Sequence, residues 1–281
     1  MTFLETLVAL DTLNLLALLG VVFIGLPHGA MDGALAVHFG WMGRPTRAIA
    51  FLLAYIGLAG LVVLSWAIAP VLSFIAFLAI STYHFGRGDA TSTIFGRGAV
   101  ESIARGGVVI GGISQFHRTE ANDVFVTIVG SDTTGVWIFL DLVAILAVAC
   151  VVEALLFKQR KERTAFALEL GLLLVVFLLT PPLVGFAMYF CFIHSLRHFA
   201  SMRSLLNATV SKLRITQTTV AFTLLTWAFG LLVLVQQSAR IGVEPALLKV
   251  VFIGLAALTV PHMLLVDGVL ERSAQRPHRK P

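Results

Sequence analysis

FCFIHSLRHFA, residues 190–200, sets two histidines one helical turn apart inside an apolar run. At that i, i+4 spacing His194 and His198 leave the same face of a helix. Imidazole is costly in hydrocarbon unless it pairs or binds something, so an intramembrane histidine is a functional-site hypothesis by default. Working outward, three more histidines occupy apolar runs: His28 in GLPHGAMDG (25–33), His84 in STYHFGRGD (81–89) and His262 in VPHMLLVDG (260–268). Five such residues in one chain point to a metal.

The runs themselves set the fold class. Of 281 residues 58% are hydrophobic and 12% charged, and the mean hydropathy is +0.94, far outside the range of an ordinary soluble domain. Many runs approach the roughly 20 residues that cross a hydrocarbon core, and none alternates as a barrel strand would. The chain reads as an all-α, polytopic membrane bundle, a single transmembrane domain over residues 1–281 with no soluble domain. Nine candidate spans follow, near 12–37, 48–68, 70–86, 99–115, 135–157, 165–180, 182–205, 217–237 and 247–270. The weakest is 99–115, which holds Glu101, Arg105 and two Gly-Gly pairs; without it the count is eight. The first run opens with Glu5 and Asp11 and has no basic leader, so it reads as a retained span. Cys150 and Cys191 sit in apolar segments as small hydrophobes rather than as a disulfide.

Loop charges orient the bundle. With the N-terminus outside and nine crossings, the inner loops hold Arg44 and Arg47, Arg87 and Arg97, the run Lys158 to Arg163, Arg203, Lys212 and Arg214, and the tail cations Arg272, Arg276, Arg279 and Lys280. Only Arg118 and Arg240 fall outside, as the positive-inside rule requires. The net charge of +5 is therefore loop bias rather than a nucleic-acid patch. A multi-pass cell-membrane protein with a cytoplasmic C-terminus is expected. In that topology His28, His84, the His194/His198 pair and His262 all lie in the inner half of their spans, at a common depth.

Each motif brings an acid. Asp32 follows His28 by four residues, Asp89 follows His84 by five, and Asp267 follows His262 by five. A metal-bound imidazole has its second nitrogen held by a carboxylate or carbonyl, and an acid one turn away can supply that. Asp32, Asp89 and Asp267 are thus candidate supporting groups, with caps or pairing to Arg87 and Arg197 as the plainer reading. Taken singly, each histidine is as readily a hydrogen-bonded structural residue. His38, His117 and His278 lie near loops or in the tail and receive no role. Imidazole donors suit iron, copper, zinc or nickel. The zinc-protease pattern HExxH and the histidine boxes of membrane desaturases are absent. A bis-histidine haem, for example between His28 and His194, is a competitor, but an i, i+4 pair cannot give both axial ligands of one haem. A mononuclear non-haem iron centre reachable from lipid fits best.

The motifs PHGAMD (27–32), STYHFG (81–86), HSLRH (194–198) and PHMLLVD (261–267), in this order and spacing across essentially the whole chain, resemble those of the Brp/Blh membrane proteins, β-carotene 15,15′-dioxygenases of bacteria and archaea. The resemblance implies cleavage of β-carotene at its central double bond, with dioxygen and Fe(2+), to two molecules of all-trans-retinal. Carried over by position, the family's iron ligands fall on His28, His84, His194 and His198; His262 is a motif position near the cavity, as a supporting group or a fifth imidazole. β-Carotene dissolves in the bilayer, so an active site among helices spares it transfer into water. By adjacency to the ligands, Tyr83, Phe85, Phe190 and Met263 are candidate tunnel residues. A retinal-binding opsin is the expected acceptor of the product. The rival from another class is a carotenoid or retinal carrier, or a pigment with a Schiff base on Lys249.

Overall fold

Prolines open three of the helices, where a missing N–H costs nothing and a fixed φ suits the first turn: Pro45, Pro70 and Pro182. The computed structural model of the chain describes residues 11–90, 97–130 and 132–270. Glu5, His278 and the tail cations Arg272, Arg276, Arg279 and Lys280 lie outside the described residues.

Among the described residues ten helices run in sequence: α1 Thr12–His38, α2 Pro45–Ile68, α3 Pro70–Asp89, α4 Arg97–Gln115, α5 Arg118–Val129, α6 Thr134–Phe157, α7 Arg160–Leu179, α8 Pro182–Leu206, α9 Lys212–Ile241 and α10 Val243–Val269. No strand occurs among the described residues. Six of them, α1, α2, α6, α8, α9 and α10, are long and apolar enough to cross a membrane. Leu53, Ile56 and Leu64 on α2 and Leu224, Leu225 and Phe229 on α9 stand exposed, the inside-out pattern of a surface that meets lipid.

The expected nine crossings are not reached by length and composition. The three remaining segments, around 70–86, 99–115 and 165–180, are all helical; the last two carry charge, and the helix of the first ends in Arg87 and Asp89. Helix α4 shows why hydropathy misses it. It is buried in protein along most of its length, packed between α3 and α6. A helix surrounded by other helices need not be apolar, provided its polar groups are paired. Here Glu101 accepts from Arg105 Nε at 2.9 Å and from Lys158 Nζ at 2.8 Å.

Glycine permits that packing. A Cβ on Gly106 would overlap the backbone of Thr82, and one on Gly86 the backbone of Ser102, so α3 and α4 cross with their main chains touching. Gly107 and Gly112 similarly admit Ala147 of α6 and Phe177 of α7. The crossing lies two residues from His84, so it fixes the helix that carries this imidazole.

The main core joins α1, α3, α4, α6, α7, α8 and α10 through Phe74, Val109, Leu140, Phe166, Phe177 and Tyr189. A smaller cluster of Met31, Leu35, Met202, Leu206 and Leu265 ties the ends of α1, α8 and α10 together just beyond the histidines.

Gly106→Ala is expected to lower the thermal midpoint of the detergent-solubilised protein by at least about 4 °C, because backbone cannot yield to the added methyl. Gly57→Ala on lipid-facing α2, where an added Cβ meets nothing within 4 Å, should leave it unchanged.

Candidate metal centre

Three of the helices that carry histidines lose regular α geometry beside them. In α1 the backbone passes through a π segment, Val21–Gly25, into a 3-10 segment, Leu26–Met31, around Pro27, which has no N–H to give. Helix α8 has a π segment over Phe190–His194, and α10 has one directly after Pro261 and His262, at Leu264–Leu270. Such bulges commonly mark functional sites, since they re-aim side chains within a helix.

The five imidazoles meet. Ring centres stand 5.3 Å apart for His28 and His194, 5.3 Å for His28 and His198, 5.6 Å for His28 and His262, 4.9 Å for His84 and His194, 5.3 Å for His84 and His262, and 4.9 Å for His198 and His262. His194 and His198 stand 6.4 Å apart. Nitrogens of His28, His84 and His194 lie within 4.8 Å of one another. A metal-bound imidazole holds its ring centre about 3.3 Å from the ion, so ligands would stand about 4.6 Å apart at a right angle and about 5.4 Å apart at a tetrahedral one. The spacings of 4.9–5.6 Å lie within or just beyond that range.

Hydrogen bonds occupy the outer nitrogens of His28 and His262, while inner nitrogens of the cluster are left empty-handed. His28 Nδ1 donates to the Gly25 carbonyl, which can only accept, so the proton is on Nδ1 and the Nε2 lone pair is free. Ser195 Oγ stands 3.1 Å from the same nitrogen. His262 Nδ1 is 2.9 Å from Asp32 Oδ1, and His84 Nδ1 faces Asp267 Oδ2 at 3.7 Å. The Nε2 atoms of His194, His198 and His262 are buried without a hydrogen-bond partner. Three unpartnered imidazole nitrogens in one buried place are an unmet demand for a Lewis acid. The residues fit a metal ion.

The acids differ from the sequence expectation in one respect. Asp32 and Asp267 each serve an imidazole on another helix, not the histidine of their own motif. Asp89 serves none: its carboxylate pairs with Arg197 at 3.0 Å and accepts from Tyr189 at 2.8 Å. That pairing is the plainer reading made from sequence. It continues as an alternating chain in which Arg197 bridges to Glu169 at 2.7 Å, Arg105 bridges Glu169 and Glu101 at 2.9 Å each, and Lys158 closes on Glu101 at 2.8 Å. Asp89 is on the helix of His84, and Arg197 lies between His194 and His198, so the ion pair locks two histidine-bearing helices in register.

An apolar cavity opens beside the imidazoles, with His28, His84, His194 and His262 in its wall along with Phe77, Phe85, Phe190, Phe222, Trp227 and Leu255. A second one, walled by Phe74, Ile110, Ile113, Leu140 and Phe252, shares Phe77, Ser81, Phe85 and Phe186 with the first. Phe85 and Phe190 line this space. Tyr83 does not: it is 51% exposed, since neighbours in a helix point about 100° apart. Met263 is absent from both walls for the same reason. Residues missed from sequence sit on the faces of the histidines themselves: Phe77 and Ser81 at seven and three before His84, Phe186 at eight before His194, Leu255 and Thr259 at seven and three before His262. Reading back along each face would have found them.

The rival readings fare poorly against this geometry. Axial imidazoles on opposite faces of one haem hold ring centres about 6.5 Å apart. His28 and His194 are at 5.3 Å, with other imidazoles crowding the space a porphyrin needs. Lys249 lines neither cavity and lies 13 residues before His262 on α10, roughly 20 Å along the helix.

The chain matches the family profile described as β-carotene 15,15′-dioxygenase over residues 19–269. It is 35% identical over 266 residues to a β-carotene 15,15′-dioxygenase of an uncultured marine bacterium, 66A03, covering 93% of this chain and 94% of that one. A probable β-carotene 15,15′-dioxygenase Blh of Halobacterium salinarum is 31% identical over 204 residues, 64% of this chain and 59% of its own length. No solved structure matches.

Asp89→Ala strips Arg197 of one of its two anions and the buried Tyr189 hydroxyl of its acceptor. It is expected to cost about 1–3 kcal/mol in chemical denaturation for the orphaned hydroxyl alone and to lower the bound metal per chain. Asp89→Asn, which still accepts from Tyr189, should retain most of the stability.

Proposed function

Since the chain belongs to the β-carotene 15,15′-dioxygenase family, we propose that it cleaves the central 15,15′ double bond of β-carotene, with dioxygen, to two molecules of all-trans-retinal. The centre is a ferrous ion held by His28, His84, His194 and His198. The observation that carries this reading is the buried, unpartnered Nε2 atoms of His194, His198 and His262, two of which, on His194 and His262, belong to the wall of a largely apolar cavity. The bound ion supplies dioxygen binding and activation.

The rest falls to side chains. Gly25 and Ser195 hold the His28 ring from behind, and Asp267 faces that of His84, so each imidazole is aimed inward. Phe77, Phe85, Phe186 and Phe190 exclude water and present ring edges and faces to a polyene. The two cavities meet at Phe77, Phe85 and Phe186, which suits a long, thin, symmetric molecule with its middle beside the imidazoles and half of its length on either side. The balance needs no outside reductant: one carbon–carbon double bond and one oxygen–oxygen bond break, and two carbonyl groups form. The chain is a single transmembrane domain in the cell membrane with its C-terminus cytoplasmic, and an opsin takes up the retinal.

Expression in cells that make β-carotene should bleach them and yield two retinals per carotene, each carrying one labelled oxygen under ¹⁸O₂. Retained colour with carotenoid co-purifying and no retinal would instead identify a carrier. His194→Ala and His198→Ala are each expected to lose iron and cleavage together, at least a hundredfold in rate; activity surviving either would remove that ligand.

Ile113→Trp fills the far cavity without touching the histidines. It should leave iron content at the wild-type level, cut β-carotene turnover at least tenfold, and spare a shorter apocarotenal that needs only the near cavity. Equal loss on both substrates would refute a path through the far cavity.

A further inference from the structure

His262 differs from a structural histidine in what its two nitrogens do. Nδ1 meets a carboxylate, Asp32 Oδ1 at 2.9 Å, which can only accept; the proton therefore sits on Nδ1 and the Nε2 lone pair is free. That Nε2 is buried without a partner, like those of His194 and His198. Asp32 is itself fully buried and accepts from Tyr55 at 2.9 Å, so its carboxylate is pinned from both sides. The ring of His262 stands as near to its fellows as any other in the cluster, at 4.9 Å from His198 and 5.3 Å from His84. It is 3% exposed and forms part of the cavity wall.

We propose that His262 is a fifth metal-ligating imidazole, brought by α10 and aimed by a Tyr55–Asp32 relay from α2 and α1. This rests on the reading of the cluster as a metal centre. A structural histidine that only tied α10 to α1 would need Nδ1 alone, and would have no reason to leave Nε2 buried and unpartnered among other imidazole nitrogens. A carboxylate behind a ligating imidazole orients it and raises its basicity, and loss of such a group typically costs 10–100-fold in metal affinity.

The test separates the two nitrogens. Asn at this position keeps an amide N–H where Nδ1 was, to bond Asp32, but has no atom where Nε2 was. Full-length wild type, His262→Asn, His262→Ala and Asp32→Asn are purified in detergent and loaded with cobalt(II). Affinity is read by chelator competition, the ligand field from the visible bands, and folding from the thermal midpoint of the metal-free protein. Expected are a wild-type-like midpoint for His262→Asn, cobalt binding at least tenfold weaker with displaced bands, weaker binding in Asp32→Asn, and return of the bands in His262→Ala on adding free imidazole. Wild-type affinity and bands in His262→Asn would overturn the assignment while leaving the metal centre standing, as would His262→Ala bands indifferent to imidazole. A wild type that takes up neither cobalt nor iron would refute the metal centre itself, and this inference with it.

Discussion

Rings from four helices can crowd into one buried space only if each is held from behind by something other than its neighbours. The structure meets that demand by exchange. The PHGAMD motif contributes His28 and also Asp32, which grips His262 on the far end of the chain; the PHMLLVD motif contributes His262 and also Asp267, which faces His84. An acid one turn from its own histidine would orient that ring within one helix but would leave the helices free to slide. An acid that reaches across does both tasks, because the centre cannot form unless α1, α3 and α10 stand in the correct register. Site and fold are in this sense one interaction.

Charge reinforces the same register on the other side. The row Lys158, Glu101, Arg105, Glu169, Arg197 and Asp89 alternates in sign and spans α3, α4, α6–α7 and α8. Isolated surface ion pairs contribute little, and breaking a buried one is severe because an uncompensated charge is left behind. Glu101, at 1% exposure with two cations on it, belongs to the second kind. The glycine crossing of α3 and α4 makes the network possible by bringing Glu101 and Arg105 beside Asp89's helix. Here polar residues in an apolar chain mark helices enclosed by other helices.

Much of this was legible from residue order. The i, i+4 pair, the recurrence of PH…D and the shared depth of the histidines led to the expectation of converging imidazoles, and the order of the four motifs led to the family. Three things were not legible. Hydropathy measures affinity for hydrocarbon, so it cannot separate a helix sheathed in protein, such as α4, from an interfacial one; the nine expected crossings rest on that ambiguity. Adjacency in sequence is also a poor guide to a helix face. Tyr83 and Met263 flank histidines yet turn about 100° away from them, whereas Phe77 and Leu255, two turns distant, share the histidines' side. The pairing of acids across helices belongs to tertiary structure and left no local trace.

Helix α9 has a further significance. Phe222, Thr223, Thr226 and Trp227 close the cavity on one side, while Leu224, Leu225 and Phe229 of the same helix stand exposed. On that side a single helix stands between the chamber and the apolar outer surface. A hydrocarbon partitioned almost wholly into the bilayer encounters such a protein by lateral diffusion. Saturation is then governed by mole fraction per lipid, so doubling the membrane at fixed carotene halves the effective dose although the bulk molarity is unchanged.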